Sequence, residues 1–103
     1  MAIIEERRYT LHSEFWANDY FEAYRELGQK IQTDTLGGLI GYFASEVGEL
    51  NVIVSLWRYD SFEDRQKRRA KLAAQPLWQE YLRQVRPMIR SMENSLLTPV
   101  IPA

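Results

Sequence analysis

The stretch Leu50-Asn51-Val52-Ile53-Val54-Ser55-Leu56-Trp57-Arg58-Tyr59 reads as a β-strand with apolar residues on both sides, and no other segment limits the chain so strongly. Side chains alternate across a strand, so Val52, Val54 and Leu56 fall on one face and Ile53, Ser55, Trp57 and Tyr59 on the other. A small antiparallel sheet is ordinarily covered by its own helices on one face only. The second apolar face therefore asks for cover from outside the protomer. A second copy of the chain is the expected cover.

The chain has 103 residues, a single domain's worth (1–103), and a core of this size gains from oligomerisation. Thirteen basic residues oppose fourteen acidic ones, which leaves no electrostatic footprint for nucleic acid or anionic lipid. The absence of cysteine excludes disulfides, thiolate metal sites and cysteine nucleophiles. The first residues pass straight into the charged run Glu5-Glu6-Arg7-Arg8, and no apolar run reaches membrane-spanning length. A cytoplasmic protein without membrane insertion is expected.

Ile3 to Leu11 has strand content, and it gives way to helical spacing at Trp16, Tyr20, Ala23, Tyr24, Leu27 and Ile31. Ser13 is the expected N-cap, with Glu14 in the first turn, and Gly28 is expected to end or weaken the helix. Gly37-Gly38 precede a second strand over Leu39 to Ser45. The link Glu46-Val47-Gly48-Glu49 is short enough for a hairpin into the strand described first. Ser61-Phe62-Glu63-Asp64 fits a capping pattern for a helix running to Ala74, and Pro76 at N1 opens another that Pro87 stops or kinks. Ile89, Met92, Leu96 and Leu97 supply a last strand, closed by Pro99 and Pro102.

The order β-α-β-β-α-β, with its second helix broken in two, predicts an α+β, ferredoxin-like arrangement: four antiparallel strands with helices on one face. The compact set Val52, Val54 and Leu56 is expected to pack on the helices. Ile53, Ser55, Trp57 and Tyr59 are then left facing outward.

Several runs resemble the NIPSNAP family of the dimeric α+β barrel superfamily. They are Glu5-x-Arg7-x-Tyr9-Thr10-Leu11, Leu36-Gly37-x-Leu39-x-Gly41-Tyr42-Phe43, and Glu46-Val47-Gly48-x-Leu50-Asn51 leading through Leu56-Trp57-x-Tyr59-Asp60-Ser61 to Arg65. Pro76-x-Trp78-x-x-Tyr81 and Glu93-Asn94-x-x-Leu97-Thr98-Pro99 extend the likeness over nearly the whole chain. The resemblance implies a homodimer whose two sheets face each other in a closed barrel, lined by side chains of both subunits. It implies no reaction, and no catalytic residue is carried over.

Glu5, Arg7 and Tyr9 share one face of the first strand. If that face lines the barrel, the pair could orient a polar ligand beside Trp57 and Tyr59, with Ser55 and Phe43 as further walls. A structural ion pair at the dimer interface is the preferred reading. The other face, with Ile4, Glu6, Arg8 and Thr10, carries the same charges, so periodicity alone leaves the choice open.

His12 is the lone histidine and stands where strand turns to helix, so a loop histidine is preferred to an acid-base group. No carboxylate spacing completes a metal site, and neither metal nor cofactor is expected. Trp16, Tyr20, Tyr24, Trp78 and Tyr81 are assigned to packing by their helical spacing. Gly37-Gly38-x-x-Gly41 leads into a strand, unlike a phosphate loop, and the basic run Arg65 to Lys71 reads as a solvated helix face. The expected function is a homodimer binding a small aromatic or amphipathic molecule between its sheets, without defined catalysis. A cofactor-independent oxygenase or isomerase and a protein-interaction module are the alternatives.

Overall fold

The computed structural model describes residues 2–101, and Pro102 lies outside them. Strand β1 (Ile3–Leu11) pairs with both β3 (Val52–Tyr59) and β4 (Ile89–Leu97), and β2 (Leu39–Ala44) pairs with β3. All pairings are antiparallel and the order across the sheet is β2-β3-β1-β4. This is the ferredoxin-like α+β arrangement expected from the sequence.

The first helical arm runs as α1 (Ala17–Ala23), a π-helical turn over Tyr24–Gly28, and α2 (Gln29–Leu36). Ser13 does not cap it. Residues 12–15 form a turn in which Phe15 N–H donates to the His12 carbonyl, and the helix starts after Trp16, whose N–H donates to the Asp19 carboxylate at 2.7 Å. Nor does Gly28 end the arm. Its missing side chain gives room to the Tyr81 ring, and Gly37, at φ 62°, supplies the stop.

The second arm is α3 (Phe62–Ala73) and α4 (Pro76–Val85), separated by a break before Pro76. Ser61 Oγ accepts from the Asp64 N–H at 3.0 Å, and Pro76 occupies the first turn of α4, both as the sequence indicates. A 3₁₀ turn over Arg86–Met88 leads into β4. Among the described residues no helix is long and apolar enough to cross a membrane.

Both arms cover the same face of the sheet, and that face is the reverse of the one expected. The buried layer contains Ile53, Trp57 and Tyr59 of β3 together with Tyr20, Tyr24, Leu72, Trp78, Tyr81 and Val85 of the helices. Val54 and Leu56 lie on the open face with Arg58. The reason is visible in the register. Ile3 and Leu11, at the two ends of β1, are buried, and a period of two then carries Glu5, Arg7 and Tyr9 under the helices with them. Glu5 pairs with Trp57, Arg7 with Ser55 and Tyr9 with Ile53, so the β3 aromatic set must follow.

The open face carries Ile4, Glu6, Arg8 and Thr10 of β1 opposite Arg58, Leu56, Val54 and Val52. Phe43 pairs with Val54 and belongs to this face, opposite to Trp57, so it is not a wall of the same pocket. A register shift near Ile40 and Gly41 bends the β2 edge, where Ile40 and Phe43 are 51% and 50% exposed. The hairpin link folds back over one end of this face, with Glu49 3.5 Å from Arg8 and 3.8 Å from Arg90.

Candidate functional site

Between the sheet and the helices, Glu5 is fully buried and its carboxylate is surrounded by donors. Arg65 donates twice from α3, through Nε to Oε1 at 3.2 Å and through Nη2 to Oε2 at 2.8 Å. Arg7 Nη1 and Asn94 Nδ2 each donate to Oε2 at 3.0 Å. Burial alone would push this carboxyl up. The hydrogen bonds from Arg65 and Asn94, with the charges of Arg7 and Arg65, outweigh it and hold the pKa down to about 2. The expected Glu5–Arg7 pair exists, but inside the protomer and shared with Arg65 and Asn94.

Beside this cluster lies a cavity of about 90 Å³. Arg7 and Tyr9 of β1, Tyr42 of β2 and Met92 of β4 form its floor, and the helices add Tyr20, Gln32, Arg69 and Tyr81. Trp78, Leu82 and Val85 supply apolar wall from α4, and the exposed Arg86 rims its opening, where the floor ends at the exposed Met92. The phenols are tied into the wall. Tyr81 O–H donates to Tyr20 Oη at 2.9 Å, Tyr42 O–H donates to Gln32 Oε1 at 2.9 Å, and Arg7 Nε donates to Tyr9 Oη at 2.9 Å. Ring contacts continue the lattice, with Trp78 and Tyr81 centroids 4.8 Å apart and Tyr24 and Tyr42 4.6 Å apart.

Burial raises the hydroxyl pKa of Tyr20 well above its ordinary value, with neighbouring phenols adding to it, and burial likewise raises Tyr42 and Tyr81. Tyr24 is pushed up to about 12 by burial. These groups therefore present neutral O–H donors at any ordinary pH. Among the described residues, the buried atoms Tyr24 Oη, Tyr59 Oη and Arg69 Nη1 lack a close hydrogen bond. The Arg69 guanidinium faces the Tyr59 hydroxyl and Tyr24 faces Tyr42, so these polar groups meet one another only loosely within the layer, where most buried polar groups are fully satisfied.

The π-helical turn Tyr24–Gly28 sits against this layer. A Cβ on Gly28 would lie 2.9 Å from the Tyr81 ring, so the glycine lets α4 and its tyrosine close on the first arm. Single π turns occur often at functional sites.

Of the residues singled out from sequence, Arg7 and Tyr9 line the cavity and Glu5 braces Arg7 behind it. Ser55 and Trp57 lie deeper in the same layer, bonded to each other by Trp57 Nε1–H to Ser55 Oγ at 3.0 Å. Tyr59 is buried at the end of that row and does not line the cavity. Phe43 is across the sheet. His12 lies at the end of β1, outside the lining.

Arg65 and Arg69 do not lie on the solvated helix face that the basic run suggests. They point inward because α3 has few apolar residues, and its buried side is completed by arginine stems above Leu72. Their spacing of four, in line with Leu72 three residues further, was the available signal. Tyr20, Trp78 and Tyr81, read as packing residues, both pack and face the cavity. Tyr42, Gln32 and Arg86 carried no signal in the sequence.

A four-stranded antiparallel sheet in this order, with paired helical arms on one face and a polar aromatic pocket beneath them, defines a ferredoxin-like α+β domain. Solved structures of remote sequence share the fold. A putative antibiotic biosynthesis monooxygenase from Bacteroides thetaiotaomicron matches at TM-score 0.73 and 17% identity over 98% of this chain and 91% of its own. SnoaB, a cofactor-independent oxygenase from Streptomyces nogalater, matches at TM-score 0.66 and 14% identity over 98% and 95%.

The chain belongs to the NIPSNAP family, whose profile covers residues 4–102. It is similar to a NIPSNAP-like domain protein from Burkholderia xenovorans, with 42% identity and TM-score 0.92 over 99% of this chain and 90% of that one. It is 38% identical over 85 residues to the NipSnap homolog of Dictyostelium discoideum, covering 82% of this chain and 35% of the relative. It is 33% identical over 60 residues to a NipSnap protein of Caenorhabditis elegans, covering 58% and 11%. The chain thus spans about a third or less of the length of these two relatives.

Proposed function

We propose that the protein is a homodimeric small-molecule-binding protein whose site lies within each protomer, under the helices, and not between the facing sheets. The observation that carries this is the cavity of about 90 Å³, walled by phenols and guanidinium groups and flanked by a buried donor that the wall leaves unpaired. Apolar walls with a few convergent polar groups are the usual composition of a ligand pocket. A cavity of about 90 Å³ is small beside the usual ligand pocket, which favours a compact ligand. The open face, with Ile4, Leu56, Val54, Phe43 and Ile40, supports pairing with a second copy.

The oxygenase reading is not adopted. It draws on remote fold likeness alone, and fold does not fix chemistry.

The test is NMR of the isotope-labelled chain against a library of compact aromatic and aliphatic compounds. Shifts gathered at Trp78, Tyr81 and Leu82 support the proposal. Hits gathered on the open face, or no saturable hit, overturn it. Sedimentation of the same sample should give twice the 12.2 kDa chain mass.

A further inference from the structure

We propose that the pocket under the helices is built for a small organic anion, a carboxylate borne on a short apolar or aromatic body. This rests on the binding reading above and gives it a chemical class. The lining holds three guanidinium groups, from Arg7, Arg69 and Arg86, and no aspartate or glutamate. Glu5, just behind, is the neighbouring carboxylate, and both its oxygens are taken by Arg65, Arg7 and Asn94. Two guanidinium groups already face its one charge. Arg69 and Arg86 form no ion pair among the described residues. Four guanidinium groups against one carboxylate leave a formal excess of three positive charges at the site.

The hydrogen-bonding inventory runs the same way. Tyr9 Oη accepts from Arg7 and keeps its own proton uncommitted. In the Tyr20–Tyr81 bond one phenol proton is used and the other remains. Gln32 Oε1 is occupied by Tyr42, which leaves the amide N–H groups of Gln32 as donors. Arg69 Nη1 is buried with no acceptor in the lining; its guanidinium faces the Tyr59 hydroxyl behind the wall without a close hydrogen bond to it. The wall is therefore rich in donors, its one amide oxygen is taken, and the acceptors that remain are neutral phenol oxygens. A ligand that brings acceptors and negative charge satisfies both deficits, and a guanidinium binds a carboxylate in a fixed two-point geometry. Trp78, Leu82 and Val85 meet whatever apolar body follows the head.

The experiment is NMR titration of the full chain with benzoate, propionate and the neutral isostere benzamide, read at the Trp78 indole N–H and the Leu82 methyls. Saturable shifts there, with benzoate or propionate at least about tenfold tighter than benzamide, are expected from one charge-assisted contact. Arg69→Gln should weaken anion binding about tenfold to a hundredfold and leave benzamide unchanged. Arg86→Gln, at the exposed rim, keeps the test open if the Arg69 variant does not fold, and should weaken the anions alone. Benzamide binding as well as benzoate at these probes would overturn the anion assignment while the pocket reading stands. Shifts confined to surface arginines, or none for any of the three compounds, would overturn both.

Discussion

Neighbouring residues of β1 live on opposite sides of the sheet, and the two sides are built on opposite terms. Under the helices, Glu5, Arg7 and Tyr9 share a covered layer with Ser55, Gln32 and five raised phenols. On the open face, Ile4 stands beside Leu56, Val54 and Phe43 with little above them. A hydrophobic core needs no buried carboxylate, and replacing a buried ion pair with apolar residues is often neutral or stabilising. An open sheet face on a free monomer needs no aliphatic row. Buried polarity thus points to recognition inside the protomer, and exposed apolar surface points to assembly outside it.

The largest effect should come from breaking the inner side at its charge cluster. Glu5→Gln removes the one negative charge facing Arg7 and Arg65, whose side chains are 16% and 22% exposed. Urea denaturation should show a loss of about 3 kcal/mol, the lower end of the range for stranding buried charges. The same carboxylate predicts an acid limb. Its folded pKa, about 2, lies below its ordinary value of 4.5, so its stabilisation is present in full above pH 4.5 and is lost as pH falls from there to 2. Glu5 contributes about 3 kcal/mol to that limb, which should be shallower by this amount in Glu5→Gln, where the lowered carboxyl of Asp64 still titrates. A parent whose stability does not change over this window would show the cluster to be no more than a surface pair.

A smaller effect should follow at the π-helical turn. Gly28→Ala gains about 1 kcal/mol in helix propensity, yet its Cβ would meet the Tyr81 ring at 2.9 Å. Crowding a packed core costs about 1 to 3 kcal/mol, so the variant should lose about 1 kcal/mol net by chemical denaturation. It should also move Tyr81 relative to Tyr20 and so disturb the pocket.

Element order, the hairpin, the Ser61 cap, the Pro76 start and the Pro87 stop were all legible, because each rests on local chemistry that a short window contains. The facing of the sheet was not. Aliphatic residues are the natural partners of helices, but the buried ends Ile3 and Leu11 set the phase of β1, and cross-strand register then places Trp57 and Tyr59 beside Glu5 and Ile3. A strand apolar on both faces has no internal signal for that choice. Of the candidate site, Glu5, Arg7 and Tyr9 were legible as one charged face. Gln32 and Tyr42 were not, since a side chain that reaches a cavity from a different element leaves no periodic trace, and for Arg69 only its spacing to Arg65 and Leu72 spoke. Arginines completing the inner side of α3 look, in sequence, like a solvated stripe.

The mildest change to the protomer should be the sharpest on assembly. Phe43 lies half exposed on the edge strand β2, its ring over Gly41, and touches none of the inner layer. Phe43→Glu should therefore alter the protomer's own stability by less than about 1 kcal/mol. If the open faces of two copies meet, the carboxylate enters an apolar contact without a partner, a cost of several kcal/mol to association. Sedimentation should then show the variant at the 12.2 kDa chain mass where the parent runs at twice that. Because a dimer melts at a temperature that rises with concentration, the parent's melting point should climb on concentration and the variant's should not. A parent whose melting point is already independent of concentration would remove the dimer from the proposal and leave the pocket, on the opposite side of the same strands, untouched.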